Sequence, residues 1–476
     1  MRHQEPTSGS GNAEPSETSP LLGNGPKASS SPNPATILGG DEEAVGPNEA
    51  DLAREAQYSG LPEAQKKLKY IVPAVSIGVF QGIGGGGMTT VVSIIMSDIV
   101  PLRDRGVWQG VVNIVYATGS AAGAPLGGIL ADYIGWRWAF LAQGPMCLVA
   151  FICVAKTLHL PAEAKSHWKQ KLRRVDFLGA IVLVGAVFAF LLGADRGSNV
   201  SWTLPITIIS MGLAFILFGV FICVEVWVAS EPFAPGHIIF DRSLFACYAC
   251  NFFSFGGWIG VLYYLPLYFQ GMDGVSATGA GVRLLPCIST GVIGSLASGF
   301  FMKKTGKYYW ITVGGYFMLT TGCVLISIFT AASTPSTVGT IIGMTISAFG
   351  NGVGVTTTLI GLIANASPQD QAVATACSYL FRSLGSVMGL SLGSTVLQQS
   401  LRNDLRSALG GNKDIDKIVA GVRQSLDFIN TLDPKVRTIV RACYGRATNY
   451  TFVFMTIVVF FSLFSAFFIR ETKLSR

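Results

Sequence analysis

The sequence predicts an all-α integral membrane protein, a bundle of about eleven spanning helices. Three observations carry this. Half of the 476 residues are hydrophobic. Only 13% are charged, about half the share of an ordinary soluble domain. The charge is gathered into short clusters between long apolar runs, and these runs suffice to cross about 30 Å of bilayer hydrocarbon. The net charge of +7 reads as loop charge on the cytoplasmic side rather than as a nucleic-acid surface. Nine cysteines are scattered, mostly inside apolar runs. Cys247 and Cys250 form a CxxC within a span, where small apolar packing residues are expected rather than a metal or redox centre.

Residues 1–62 are rich in Ser, Pro, Gly, Asn and Glu and hold too few apolar residues to build a core. They carry no apolar stretch of the kind that marks a cleavable signal peptide. Glu17, Leu21 and Leu22 have the spacing of an acidic dileucine signal. Such a signal offers a sorting adaptor two apolar knobs and one charge from a flexible segment. Chance occurrence explains the pattern as readily.

The first apolar run is uncharged from Tyr70 to Ser97. As a helix it would be about 42 Å long, more than one crossing needs. Basic residues flank it on both sides, with Lys66, Lys67 and Lys69 before and Arg103 and Arg105 after. A span has one cytoplasmic end marked by Lys and Arg, and this one has two. Ten more spans follow near 108–130, 136–157, 176–194, 202–228, 245–270, 279–302, 308–332, 336–364, 371–398 and 451–469.

Loop charge orients them. Lys156, Lys165, Lys169, Lys171, Arg173 and Arg174 make the segment 156–174 the strongest basic loop, hence cytoplasmic. Alternation then places Arg103/Arg105, Asp241-Arg242, Lys303-Lys304-Lys307 and Arg470/Lys473/Arg476 on the same side. Asp195-Arg196, the turn at Met272-Asp273 and the segment 399–450 fall on the other. Two sequons, at Asn199 and Asn449, fall on that outer side close to the membrane.

Several motifs resemble the major facilitator superfamily, in particular its fourteen-helix drug:proton antiporter branch. "FQGIGGGGMTT", with Gln81, Gly82 and Gly84, resembles the branch's helix-four motif. "GSAAGAPLGG", with Gly119, Gly123, Pro125, Gly127 and Gly128, resembles the helix-five antiporter motif. "GWRWAF" at 135–140, "YYLPLYFQ" at 263–270 and "FRSLGS" at 381–386 also resemble stretches of that branch. Within it the likeness is greatest to fungal vacuolar basic amino acid transporters, a likeness that the dileucine pattern fits. Gly78 stands where the helix-four motif has Arg, and Ala124 intervenes before the proline of the helix-five motif. The acidic motif of helix one and the loop between helices two and three are missing. "KKLKYIVPAVSIGVF" itself resembles the start of helix one. The first run thus reads as the front of helix one joined near Phe80/Gln81 to the back of helix four, with about 90 residues lost at typical span and loop lengths. Fourteen spans become about eleven, and the doubled basic flank is explained.

The resemblance implies an incomplete N-terminal bundle at 63–157, a basic loop and inserted helix pair at 158–230, and a six-helix C-terminal bundle at 231–476 with a long lumenal loop at 399–450. It implies proton-coupled movement of a small solute, with basic amino acids the expected cargo, at the vacuolar membrane. The energy source would be the proton gradient, with no cofactor or metal and no nucleic-acid partner. Efflux of drugs or siderophores at the plasma membrane is the second transport reading. A non-transporting truncated membrane protein is the third, because the lost region would have carried the family's proton-handling groups.

Residue chemistry narrows the site. The glycines at 84–87 and 119–128 suit close helix approach, either as a hinge for rocking helices or as static packing. Charge inside a span costs about 2.5–3.5 kcal/mol at mid-bilayer, so Arg382, isolated in an apolar run, either faces a cavity or snorkels. Glu225 reads as interfacial, Arg283 as an anchor, and Asp132 with Arg137 as a structural pair. Uncharged polar groups within spans are the remaining cargo candidates: Asn113, Tyr116, Gln143, Asn251, Tyr263, Tyr264, Gln270, Asn351 and Tyr379. Trp258, Tyr263 and Tyr264 either stack on a cation or serve as belt and core. The sequence holds no Walker loop and no catalytic triad, so an enzyme is not expected.

Overall fold

The structure, a computed structural model, describes residues 82–119 in part, 136–157, 176–199, 201–228, 236–367, 370–409, 421–422 and 427–472. The chain divides into two units, Met1–Gly78 and Val79–Arg476, and the described residues all lie in the second. The long helices are α1 (Trp136–Thr157), α2 (Phe177–Asn199), α3 (Pro205–Cys223), α4 (Arg242–Gly271), α5 (Leu285–Thr305), α6 (Tyr309–Phe329), α7 (Thr337–Asn365), α8 (Gln371–Leu409) and α9 (Pro434–Ala466). Among the described residues eight helices, α2 to α9, are long and apolar enough to cross a membrane. Of the other three expected spans, 70–97 and 108–130 fall largely outside the described residues. The apolar part of α1, Leu141–Lys156, is shorter than the eight. The eight counted among the described residues are fewer than the fourteen of the antiporter branch.

Local chemistry sets the helix ends. Asp241 caps α4, its Oδ1 accepting from the backbone N–H groups of Ser243 (2.9 Å) and Leu244 (3.0 Å). Ser336 caps α7 by accepting from Gly339 N–H at 3.1 Å. Helix α5 stops at Gly306, whose φ of 68° is left-handed and strained for any residue with a Cβ.

Helices α4, α8 and α9 pack mutually. Helix α7 packs on α5 and α6, and α6 closes the ring against α9. Helices α4 and α7 are the most enclosed. Helices α2 and α3 pack on each other and on α8 through Ala189, Phe190, Ala214, Met388 and Leu392. Their other faces expose Ile181, Phe188, Ile209 and Phe215, as a lipid-facing surface requires.

Glycine governs how closely the helices approach. A Cβ on Gly389 would fall on the Gly256 carbonyl oxygen, and one on Gly385 on the Phe252 carbonyl oxygen, so α8 lies backbone to backbone on α4. Gly352 does the same against Gly291 of α5. With lipid outside, no hydrophobic drive separates inside from out, and such close contact is what binds the helices.

Two helices run well past their expected ends. Helix α8 continues to Leu409 instead of 398, and α9 begins at Pro434 instead of 451. The charges at Arg402, Asp404, Arg406, Lys435, Arg437, Arg441 and Arg446 are incompatible with hydrocarbon but not with helix. Leu397, Leu401, Leu405 and Leu409 recur every fourth residue and are buried, as are Val440, Cys443 and Ala447 of α9. Arg446 Nε donates to Asp404 Oδ2 at 3.1 Å across the pair. Leu405→Ala is expected to destabilise the protein by about 2–5 kcal/mol through cavity formation, read as a lowered melting temperature of detergent-purified protein.

The structure gathers one set of helix ends. Tyr308 Oη donates to the Arg470 carbonyl (2.7 Å) and accepts from Asn365 Nδ2 (2.8 Å), while Arg470 N–H donates to Ser243 Oγ (3.2 Å). Lys303 pairs with Asp104 at 2.8 Å, and Arg105 Nη1 donates to Gln371 Oε1 at 3.1 Å. Residues near 104, 243, 303, 365 and 470 thus share an end, the set that loop charge assigns to the cytoplasm. At the opposite end Arg283 pairs with Asp273 and lies over Phe269, and Arg402 Nη2 reaches the Ser198 carbonyl at 3.3 Å. Asn449 is occupied within this bundle. Its Nδ2 donates to the Ser327 carbonyl (2.6 Å) and to Thr330 Oγ1 (2.8 Å) on α6. A glycan on Asn449 would break both bonds, so Asn449→Gln is expected to leave electrophoretic mobility unchanged with or without glycosidase.

Candidate functional site

Arg382 marks the polar centre of the helical ring. Along α8 it is preceded four residues earlier by Ser378, so both lie on one face. Asn251 of α4 meets that face. Arg382 Nε donates to Asn251 Oδ1 at 3.1 Å, and Asn251 Nδ2 donates to Ser378 Oγ at 3.0 Å. Arg382 Nη2 donates to the Val355 carbonyl of α7 at 3.4 Å. Phe255, one turn after Asn251, and Tyr379 each place a ring centroid 5.1 Å from Arg382 Cζ. Arg382 is 5% exposed and Asn251 0%. The side chain is therefore inside the bundle and does not snorkel.

Polar groups continue around it. Tyr316 Oη of α6 lies 3.2 Å from Thr358 Oγ1, and Ser295 Oγ of α5 lies 2.6 Å from Thr356 Oγ1. Thr356 and Thr357 also donate to carbonyls one turn back, so the threonine run of α7 is buried yet satisfied. Asn351 differs. It lies one turn before Val355 on the same face of α7, and its Oδ1 is buried with no hydrogen-bond partner.

Of the residues selected from sequence, Asn251, Tyr379 and Arg382 come together here, and Asn351 lies one turn from the Val355 carbonyl along α7. Tyr264 is buried further along the α4–α8 crossing, its hydroxyl donating to the Leu390 carbonyl at 2.9 Å. Tyr263 and Tyr116 are largely exposed, as is Gln143 on α1. Gln270 donates to the Pro266 carbonyl of its own helix. A Cβ on Gly82, Gly84 or Gly119 would meet nothing within 4 Å. Gln81, Asn113, Gly123, Pro125, Gly127, Gly128 and the pattern Glu17, Leu21 and Leu22 lie outside the described residues, as does the pairing of Asp132 with Arg137.

Glu225, expected near the end of its span, is 5% exposed and lies near Cys377 of α8. It sits in a π-helical turn, Val224–Val228, at the end of α3. Sequence reading missed Ser378, Phe255 and the Val355 carbonyl. The first two had a signal, since each lies one turn from a selected polar residue. The carbonyl had none.

The chain is similar to one protein family and to three characterised relatives. A family model described as Major Facilitator Superfamily matches residues 72–390. The vacuolar membrane amino acid uptake transporter fnx2 of Schizosaccharomyces pombe is 36% identical over 84% of this chain and 69% of its own length. The multidrug resistance protein fnx1 of the same yeast is 36% identical over 80% of this chain and 72% of its own. The vacuolar basic amino acid transporter 2 of Saccharomyces cerevisiae is 30% identical over 79% and 82% respectively.

Proposed function

The chain belongs to the Major Facilitator Superfamily, and from that premise we propose that it is built to move basic amino acids across a fungal vacuolar membrane in exchange for protons. It is a multi-pass membrane transporter and not a catalytic enzyme, related to fungal vacuolar and multidrug transporters. The observation that carries the cargo reading is the Arg382–Asn251 centre. A cation held inside a span is expensive, and such groups mark cargo and ion pathways. Two relatives named for amino acid transport at the vacuole support the same reading. Energy would come from the proton-motive force, with no cofactor. The dileucine pattern at Glu17, Leu21 and Leu22 would direct sorting.

The doubled basic flank of the first apolar run supports a deletion between helix one and helix four. The regions 63–157, 158–230 and 231–476 would then be a reduced N-terminal bundle, the inserted pair and the C-terminal bundle. Labelled lysine or arginine supplied to energised vesicles that carry this chain tests the proposal. Uptake that collapses with the proton gradient supports it. Uptake only after the missing helices are restored makes this form non-transporting. The name of the second relative favours drug efflux as the alternative. Fluorescence of a tagged chain at the cell surface, with none at the vacuolar rim, would favour that alternative.

A further inference from the structure

We propose that Arg382 and Asn351 form a docking point for the zwitterionic end of an amino acid. The guanidinium takes the α-carboxylate, and Asn351 Oδ1 accepts from the α-ammonium. This rests on the amino acid reading above and adds to it the atoms that would hold the cargo.

The guanidinium has five N–H donors in a planar fork. Nε–H is taken by Asn251 Oδ1, and one Nη2 hydrogen points to the Val355 carbonyl at the long distance of 3.4 Å. Phe255 and Tyr379 lie close to the guanidinium, with ring centroids 5.1 Å from Cζ. Three N–H groups, on Nη1 and Nη2, have no acceptor among the described residues. Arg382 joins no carboxylate among those residues either. Its neighbours are an amide, a carbonyl and two rings, and the ion pairs at His237, Arg283, Lys303 and Arg446 are elsewhere. A buried guanidinium with a free fork and no counter-charge matches a carboxylate, which binds two parallel N–H groups at once.

Asn351 supplies the complementary half. Its buried Oδ1 is an acceptor without a donor, which natural interiors seldom leave standing. It precedes Val355 by four residues, about 6 Å along the helix axis and on the same face. An α-carboxylate and α-ammonium, with a hydrogen bond of about 2.8 Å at each end, can bridge such a gap. A guanidinium alone would accept any carboxylate, and an amide oxygen alone any amine. Together they select a molecule bearing both, with its side chain left free.

The test is equilibrium binding to the purified full chain in detergent. The probes are lysine, lysine methyl ester, Nα-acetyl-lysine and cadaverine, which keeps both amines but lacks the carboxylate. Lysine is expected to bind about ten-fold or more tighter than the ester and cadaverine, and about ten-fold tighter than the acetylated form. In Arg382→Met, lysine should weaken to the level of cadaverine while cadaverine itself is unchanged. In Asn351→Leu, lysine should weaken to the level of Nα-acetyl-lysine. The proposal fails if the wild-type chain binds cadaverine as tightly as lysine, or binds no lysine. It fails equally if Arg382→Met keeps the wild-type ratio. The probe series on wild-type protein decides even where a variant does not fold. Lysine bound with the expected preference but not taken up by vesicles supports the site and overturns only transport by this form.

Discussion

Gly389→Val is expected to leave no assembled protein in the membrane. The Cβ of any side chain at Gly389 would land on the Gly256 carbonyl oxygen, and the obstacle is backbone, which cannot turn aside as a side-chain tip can. Overpacking a core usually costs about 1–3 kcal/mol, and more where no rotamer relieves the clash. Here α8 must move off α4 as a whole. That movement would also pull Arg382 from Asn251 and expose Tyr264, whose hydroxyl reaches across the same crossing. Gly212→Ala and Gly219→Ala on α3 are the contrast, since a Cβ there meets nothing within 4 Å. Size-exclusion profiles of fluorescently tagged variants separate the outcomes. A monodisperse Gly389→Val peak at wild-type height would refute the close α4–α8 crossing.

Asn251→Ala is expected to destabilise the protein by about 3–5 kcal/mol, the cost of removing one partner from a buried charge. The loss is larger than one hydrogen bond, because Arg382 keeps its charge while its Nε loses the acceptor and Ser378 Oγ loses its donor. Replacing both partners by apolar groups removes that burden. The double variant Arg382→Met with Asn251→Leu is therefore expected to melt much closer to wild type than Asn251→Ala does, while losing any cargo function of the arginine. A double-mutant cycle in thermal denaturation measures this coupling. If the two changes add without interaction, the pair is not a unit.

Much of the fold is visible in the sequence because hydropathy is local. The apolar runs of α2 to α9 each announce themselves, and the charge clusters between them group the helix ends that the structure gathers. The extensions of α8 to Leu409 and of α9 back to Pro434 were hidden for the same reason. A hydropathy reading registers Arg402, Asp404 and Arg446 as the end of a span, whereas a helix ends only where its backbone or caps require. The four-residue leucine spacing from Leu397 to Leu409 was the available signal. The site was half visible. A lone arginine in an apolar run and asparagines in two others are conspicuous, but nothing local says that they meet.

The sequence by itself determined the membrane class, the order of the apolar segments that form α2 to α9, and which residues are costly to place in hydrocarbon. These follow from transfer free energies summed along one chain. Only the tertiary structure decided that Arg382 turns inward, that Asn251 and the Val355 carbonyl receive it, and that Glu225 is enclosed. Those facts depend on the rotation and separation of helices far apart in sequence. Glycine contacts such as Gly256–Gly389 set that separation, because in lipid it is close fit between helix surfaces, and not aversion to water, that chooses the partner.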